Sequence, residues 1–123
     1  MSASIYYHAR RSKPLTKSEA YLVKIIVQTF SKDAAIKKYL ETGEGLNWES
    51  FCLYDKPSSP DLVLEGATKL PGNTEDALVE GAKLWCVVLT FLRLAISDAE
   101  WTVTIEDCPI RWDENDRRYD AST

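Results

Sequence analysis

Histidine and cysteine are the residue types best suited to nucleophilic or zinc chemistry, and this chain of 123 residues has few of either. His8 is the single histidine, and Cys52, Cys86 and Cys108 are an odd number of widely spaced cysteines. A cysteine or serine nucleophile needs a histidine base within hydrogen-bond reach. Zinc needs several histidine or cysteine ligands at short spacing. The sequence therefore favours a structural role for His8 and reduced, unpaired thiols.

Carboxylates and glycines also form incomplete motifs. Asp113, Glu114 and Asp116 lack the glycine that lets a calcium-binding loop turn sharply. Asp61 and Glu65 are spaced like the carboxylate pair of some metal nucleases, but an alanine stands where such a site needs a lysine. The five glycines never form a phosphate-binding loop before a helix. No catalytic residue, metal or cofactor is predicted.

The composition, with 45% hydrophobic and 28% charged residues, is typical of an ordinary globular protein. Its length favours one domain over residues 1–123. The first ten residues lack the pattern of a cleaved signal peptide. The most apolar stretch, residues 84–96, is shorter than the roughly 20 residues that span a membrane. These features predict a cytoplasmic protein without membrane or nucleic-acid partners, since the net charge is -4.

Charge is divided unevenly along the chain. The first 40 residues contain eight basic and two acidic residues, and the remainder contains seven basic and 17 acidic residues. Such a division is typical either of a partner-binding surface or of two segments that neutralise each other in the fold. The pairing predicted below places the basic first strand beside an acidic last strand, and this favours internal neutralisation.

The elements that must position these side chains follow from periodicity. Alternation predicts strands, Thr16 and Glu19 form a capping box that begins a helix, and Gly43 suits the left-handed end of another. The predicted elements are a strand at 5–10, a helix from 17 to about 30, a shorter helix ending at 43, strands at 49–55 and 61–68, a long helix from about 75 to 96, a strand at 100–106 and a hairpin within 109–119.

Both long helices look covered on most sides. In the first helix, apolar residues leave a narrow polar stripe through Lys17 and Lys24, and in the long helix polar residues recur every seven positions, with Thr90 among them. The shorter helix would face inward through Ile36, Tyr39 and Leu40. We therefore expect the long helix to be a core element.

This order predicts an α+β fold. It is a two-layer sandwich with a mostly antiparallel sheet and helices on one face, in the ferredoxin-like split βαβ order β-αα-β-β-α-β plus a short C-terminal hairpin. The first strand would lie between the strands at 61–68 and 100–106. The open sheet face would then carry the following side chains: Tyr6, His8, Arg10, Glu65, Thr102 and Thr104.

The acidic and aromatic C-terminal region is the feature that most favours a function. Large flat rings among carboxylates suit the recognition of a basic protein. The predicted partner-binding residues are Glu106, Asp107, Trp112, Asp113, Glu114, Asp116 and Tyr119. The other interpretation is that Trp112 closes the edge of the core and that the acids serve solubility.

We therefore expect a non-enzymatic protein-binding module whose partner is a basic protein or a second copy of the chain. By analogy, an inhibitor or immunity-type protein that covers a basic partner has this character. The alternative is a small-ligand binder or enzyme that uses the open sheet face around His8, Cys52 and Glu65, with a homodimer completing the site. This fold class carries many functions, so the fold does not decide between them.

Overall fold

The computed structural model describes residues 3–121, and within them it has three helices, a four-stranded antiparallel sheet and a separate two-stranded hairpin. The elements in chain order are β1 (Ser4–Arg10), α1 (Lys17–Thr29), α2 (Asp33–Thr42), β2 (Leu62–Lys69), α3 (Ala77–Ala95), β3 (Glu100–Ile105), β4 (Cys108–Pro109), β5 (Arg111–Asp113) and β6 (Arg118–Asp120). The predicted α+β sandwich is confirmed.

The main sheet has the strand order β2-β1-β3-β4, and β1 is central as predicted. His8 of β1 lies opposite Glu65 of β2 and opposite Thr102 of β3. Side chains of β1 alternate between the two faces, so that Ile5 and Ala9 are fully buried. These two belong to the same core cluster as the inner side chains of α3, so α3 covers that face of the sheet.

The predicted strand at 49–55 is wrong, and the ferredoxin-like order that needed it is not confirmed. One backbone bond joins this segment to the edge of β2 in the manner of a strand, from the Tyr54 N–H to the Glu65 carbonyl at 2.8 Å. The Cys52 peptide instead bonds to hydroxyl groups: Tyr7 donates to its carbonyl at 2.5 Å, and its N–H donates to Thr68 Oγ1 at 3.1 Å. These side-chain bonds replace a β-ladder.

Close approach of segment 49–55 requires a glycine in β2. A Cβ atom at Gly66 would collide with the carbonyl oxygen of Cys52 and with the Tyr7 ring. Phe51 then enters the core, where its ring stacks on Tyr7 at a centroid distance of 4.5 Å and lies 5.4 Å from Trp85. Segment 49–55 therefore lies beside β2 and contributes the Phe51 ring to the core.

The start of α1 is held from two directions. Thr16 and Glu19 form the predicted capping box. Arg11, at the end of β1, donates two hydrogen bonds of 2.8 and 2.9 Å to the Glu19 carboxylate and a further one of 2.8 Å to Asp98. The hydrogen bonds that Glu19 accepts from Arg11 and from the Thr16 backbone lower its pKa to about 2. Arg11 thereby ties β1, α1 and the turn after α3 together.

α2 ends where the sequence indicates, at Gly43 with φ 72°, and α3 runs through the core. Val88, Leu89 and Leu92 are fully buried. Leu40 of α2 is 77% exposed, so its predicted inward orientation is wrong. Phe51 of segment 49–55, and not Leu40, belongs to the core cluster.

Candidate functional site

The C-terminal hairpin of β5 and β6 is attached to α3 through Tyr119. The Tyr119 N–H donates to Thr90 Oγ1 at 3.0 Å, and Arg93 donates to the Tyr119 hydroxyl at 3.2 Å. The Arg93 guanidinium also lies 4.2 Å from the centre of the Trp112 ring. Trp112 and Tyr119 meet edge to face at 5.1 Å. The hairpin and α3 therefore present one connected surface.

Tyr119 belongs to the core rather than to the exposed surface. It is 4% exposed, and burial raises its pKa. Its place among partner-contacting side chains is corrected, because Arg93 and α3 cover its ring. Trp112 is partly buried beneath the same arginine, and its indole N–H donates to Glu114 at 2.9 Å. Trp112 thus closes the edge of the core, which is the other interpretation that the sequence offered.

The carboxylates of the predicted partner site belong to two different turns. Glu106 and Asp107 form the turn between β3 and β4, whereas Asp113, Glu114 and Asp116 belong to the turn of the hairpin. We call the last three the hairpin tip. The fold does not gather the two groups into one turn. The hairpin that carries the second group is the one attached to α3, through Tyr119 and Trp112.

Neutral donors hold two carboxylates of the hairpin tip in place. Asp113 accepts from the backbone N–H groups of Asn115 and Asp116 at 2.9 and 3.0 Å, and Glu114 accepts from the Trp112 indole. Neutral donors orient a carboxylate without cancelling its negative charge. Asp116 lies 3.6 Å from Arg118, and both side chains are more than half exposed, so that pair contributes little. The hairpin tip is a positioned acidic turn.

The outer sides of α1 and α3 expose six large apolar side chains. We call them the outer helix face, and its members are Tyr21, Leu22 and Ile25 of α1 and Val87, Phe91 and Leu94 of α3. Phe30, at the end of α1, stacks on Phe91 at 5.5 Å and joins the two helices at this face. The prediction that both helices are covered on most sides is therefore wrong.

A groove of about 430 Å³ separates α3 from the end of the hairpin. Val87 and Phe91 of the outer helix face line it together with Tyr119. Cys86 also lines it but is 3% exposed, and burial, with a smaller contribution from the charge of Asp120, raises the pKa of its thiol to about 11. The thiol is neutral near pH 7, so the groove offers no nucleophile. Its lining also includes the charged side chains of Lys83, Arg118 and Asp120.

The open face of the sheet has the predicted arrangement. The structure places on this face Tyr6, His8, Arg10, Glu65, Thr102 and Thr104. The Glu65 carboxylate accepts from the N–H and hydroxyl of Ser58 at 2.7 and 3.0 Å, and Arg10 lies 2.5 Å from Asp61. The charged groups that flank His8 along the sheet thus have partners of their own.

Cys52 is not a strand neighbour of His8, which corrects the placement expected from the sequence. Segment 49–55 is not a strand, and the Cys52 peptide bonds to Tyr7 and Thr68, whose side chains lie on the helix-covered side of the sheet. His8 lies on the opposite side of β1 from Tyr7. The structure does not bring His8, Cys52 and Glu65 together as one group.

Internal neutralisation is confirmed for part of the basic N-terminal region. Among the described residues, four ion pairs join this region to acids beyond residue 40. They are Arg10 with Asp61, Arg11 with Asp98, Lys13 with Asp98 and Lys38 with Glu44, at 2.5, 2.8, 3.4 and 3.6 Å. Lys17 and Lys24, on α1, form no ion pair with any residue in the range 3–121. α1 therefore carries positive charge that the rest of the described chain does not neutralise.

No group of three or more histidine, cysteine, aspartate or glutamate side chains within residues 3–121 is placed to hold a metal ion. None of the helices in the described part of the chain has the length and apolar character needed to cross a membrane. No protein-family model, curated protein or solved structure matches this chain.

The residues that attach the hairpin to α3 were not predicted from the sequence. Thr90 was expected on an exposed seam, yet it accepts from Tyr119 and donates to the Cys86 carbonyl at 2.7 Å. Arg93 stands within the apolar stretch 84–96, and it covers Trp112. The pairing of two aromatic residues across a hairpin could have suggested a cationic partner. Nothing in the sequence indicated which arginine fills that role.

Proposed function

We propose that this protein is a protein-binding module whose contact surface consists of the outer helix face, the groove beside α3 and the hairpin tip. The partner packs apolar side chains against α1 and α3 and presents basic residues to the hairpin tip. An inhibitor or immunity-type protein that covers a basic partner acts in this way. The three free thiols suit a reducing compartment, so a cytoplasmic location is part of the proposal.

The observation that carries this proposal is the exposure of the outer helix face. Its six side chains are each between 38 and 67% exposed. Single exposed apolar residues are common, but several on neighbouring helices are typical of interaction surfaces. On α3, the members lie at positions 87, 91 and 94, which is the spacing of one side of a helix. Phe91 adds a large aromatic ring beside the groove, and aromatic residues are enriched at protein interfaces.

The hairpin tip supports a basic partner. Its Asp113 and Glu114 carboxylates accept hydrogen bonds from neutral donors rather than from basic side chains. The hairpin also carries Arg111, Arg117 and Arg118, so its total charge is close to zero. Selectivity would therefore depend on where a partner's cations lie rather than on long-range attraction.

The test is site-specific photo-crosslinking in the producing cells, with a benzophenone amino acid at position 91. Position 40 on α2 is the matched control, because Leu40 is also apolar and is 77% exposed. We expect a discrete adduct from position 91 and none from position 40. The adduct is then identified by mass and rebuilt from the purified components.

A Phe91→Glu variant must lose this reconstituted complex while Leu40→Glu keeps it. Both substitutions change exposed positions, so both variants should fold, and circular dichroism checks this. If position 91 gives no adduct, or if Phe91→Glu binds like the unchanged protein, the outer helix face is not the contact surface.

A further inference from the structure

We propose that the occupant of the outer helix face is a second copy of this chain, which packs α3 beside α3 in parallel about a twofold axis. This inference rests on the proposed function and names the partner. The basic residues that meet the hairpin tip are then Lys17 and Lys24 of the other copy.

The size of the surface is the first argument. The chain exposes 7839 Å², whereas a compact monomer of 13.9 kDa exposes about 6,700 Å². The excess is roughly 1,100 Å², and each partner in a stable complex of standard size contributes about 800 Å². The surplus surface is thus large enough for one complete interface.

The neighbours of α3 leave one of its sides uncovered. Phe91 contacts Phe30 at the end of α1, whereas Arg93 contacts the hairpin. Two residues along an α-helix turn the side-chain direction by about 200°. α1 and the hairpin therefore lie on opposite flanks of α3, and the exposed side chains of Val87 and Leu94 lie between them.

The α1 flank and the hairpin flank of α3 carry side chains of opposite charge. Lys17 and Lys24 are seven residues apart and share one side of α1, where no acid within residues 3–121 pairs with them. On the other flank, Asp113 and Glu114 of the hairpin tip carry charge that neutral donors position. The two lysines of α1 and the two carboxylates of the hairpin tip, on opposite flanks of α3, can therefore pair with the same groups of a second copy.

Charge complementarity decides the direction of the symmetry axis. A twofold axis along α3 places α1 of one copy against the hairpin of the other, twice over, and leaves the two α3 helices parallel. An axis across α3 instead places the lysines of α1 against the same lysines. On the two flanks, the parallel arrangement is therefore the one that the charges favour. It also brings each residue of α3, including the exposed Glu80 and Lys83, near its own equivalent.

Cysteine crosslinking tests this arrangement. Val87→Cys and Leu94→Cys are made separately in a chain with Cys52→Ser and Cys108→Ser, because those two native thiols are exposed. Mild oxidation should convert each variant to a disulfide-linked species of twice the chain mass. A Leu40→Cys variant in the same background is the control, since position 40 lies on α2, and it should stay monomeric.

Crosslinking only between a mixture of the two variants, and not within each, would show antiparallel α3 helices and overturn the proposal. The mass of the unchanged protein is measured by light scattering during size-exclusion chromatography. A dimer that dissociates in Phe91→Glu and persists in Leu40→Glu is the expected result.

A charge exchange tests the flanks. One variant carries Lys17→Glu and Lys24→Glu, and the other carries Asp113→Lys and Glu114→Lys. Each alone should dimerise at least tenfold more weakly than the unchanged chain, because like charges then face each other at both ends of the interface. A mixture of the two should restore dimers, since both contacts become attractive again. No restoration on mixing would overturn the pairing of α1 with the hairpin.

The outcomes separate this inference from the proposed function. If the unchanged chain is a monomer up to its solubility limit and position 91 crosslinks to a different, identified protein, the second copy is the wrong occupant and the binding module stands. If the chain is a monomer and position 91 gives no adduct, both proposals fail.

Discussion

Replacing Tyr7 by phenylalanine should loosen segment 49–55 while leaving the core ring in place. The Tyr7 hydroxyl donates to the Cys52 carbonyl at 2.5 Å and lies 2.7 Å from Thr68 Oγ1. Tyr7 is 2% exposed, and burial raises its pKa, so the hydroxyl stays neutral in the physiological range. Phenylalanine keeps the stacking on Phe51 and removes only the hydroxyl.

The expected loss follows from the groups left without partners. The Cys52 carbonyl loses its donor, whereas the Cys52 N–H keeps its bond to Thr68 Oγ1. Removing one partner of a largely buried hydrogen bond costs about 1 to 3 kcal/mol. For a chain of this length, each kcal/mol lowers the melting temperature by about 4 °C. Tyr7→Phe should therefore melt about 4 to 12 °C below the unchanged protein.

Urea unfolding followed by tryptophan fluorescence and by circular dichroism measures this loss. The midpoint should fall at a constant slope, because the surface exposed on unfolding hardly changes. Tyr21→Phe is the control: Tyr21 is 67% exposed, and its loss should be within about 0.5 kcal/mol of zero. Amide hydrogen exchange should accelerate at Cys52 and Tyr54, which lie in the loosened segment.

A Thr68→Val variant completes a double-mutant cycle. Tyr7 and Thr68 share one network, so the combined loss should differ from the sum of the single losses by at least about 0.5 kcal/mol. If Tyr7→Phe is as stable as Tyr21→Phe, the hydroxyl does not hold segment 49–55. The account of why that segment is not a strand would then be refuted.

Two further predictions concern α3 and the start of α1. Val88→Asp should give no soluble folded protein, because it buries an unpaired charge. Val87→Asp, on the exposed side of α3, should keep the fold. Soluble expression and circular dichroism measure both, and a folded Val88→Asp protein would contradict the packing of α3. Because Arg11 lowers the pKa of Glu19 from 4.5 to about 2, their stabilising interaction should be complete above pH 4.5 and be lost as the pH falls toward 2. Acid unfolding curves should show Glu19→Gln lacking this part of the pH dependence, and curves of identical shape would disprove the assignment.

Several elements could be predicted from the sequence because neighbouring residues determine them. The capping box of Thr16 and Glu19 satisfies the orphan amides of one helix turn whatever packs around it. Gly43 ends α2 because glycine adopts a positive φ without a steric penalty. Alternation along β1 set which side chains share the open sheet face, and the sequence also predicted that β1 lies between β2 and β3. The register that places His8 opposite Glu65 and Thr102 was not predicted.

The identity of the partners of segment 49–55 could not be predicted from the sequence. Its alternating pattern is typical of a strand, but alternation does not indicate which groups will form hydrogen bonds with the backbone. Tyr7 and Thr68 are 45 and 16 residues away from Cys52, and their hydroxyls reach it only once β1 and β2 have paired. Gly66 leaves the room that this approach requires.

The candidate site shows the same division. The sequence alone determined that α1 and α3 are helices rich in apolar residues and that an acidic, aromatic hairpin follows β3. Only the tertiary structure decided that Val87 and Phe91 remain exposed while Tyr119 is buried. The physical reason is that periodicity shows which residues share a side of a helix, whereas exposure depends on which other elements cover that side. In this chain the hairpin covers Thr90 and Arg93 and leaves the neighbouring apolar side open.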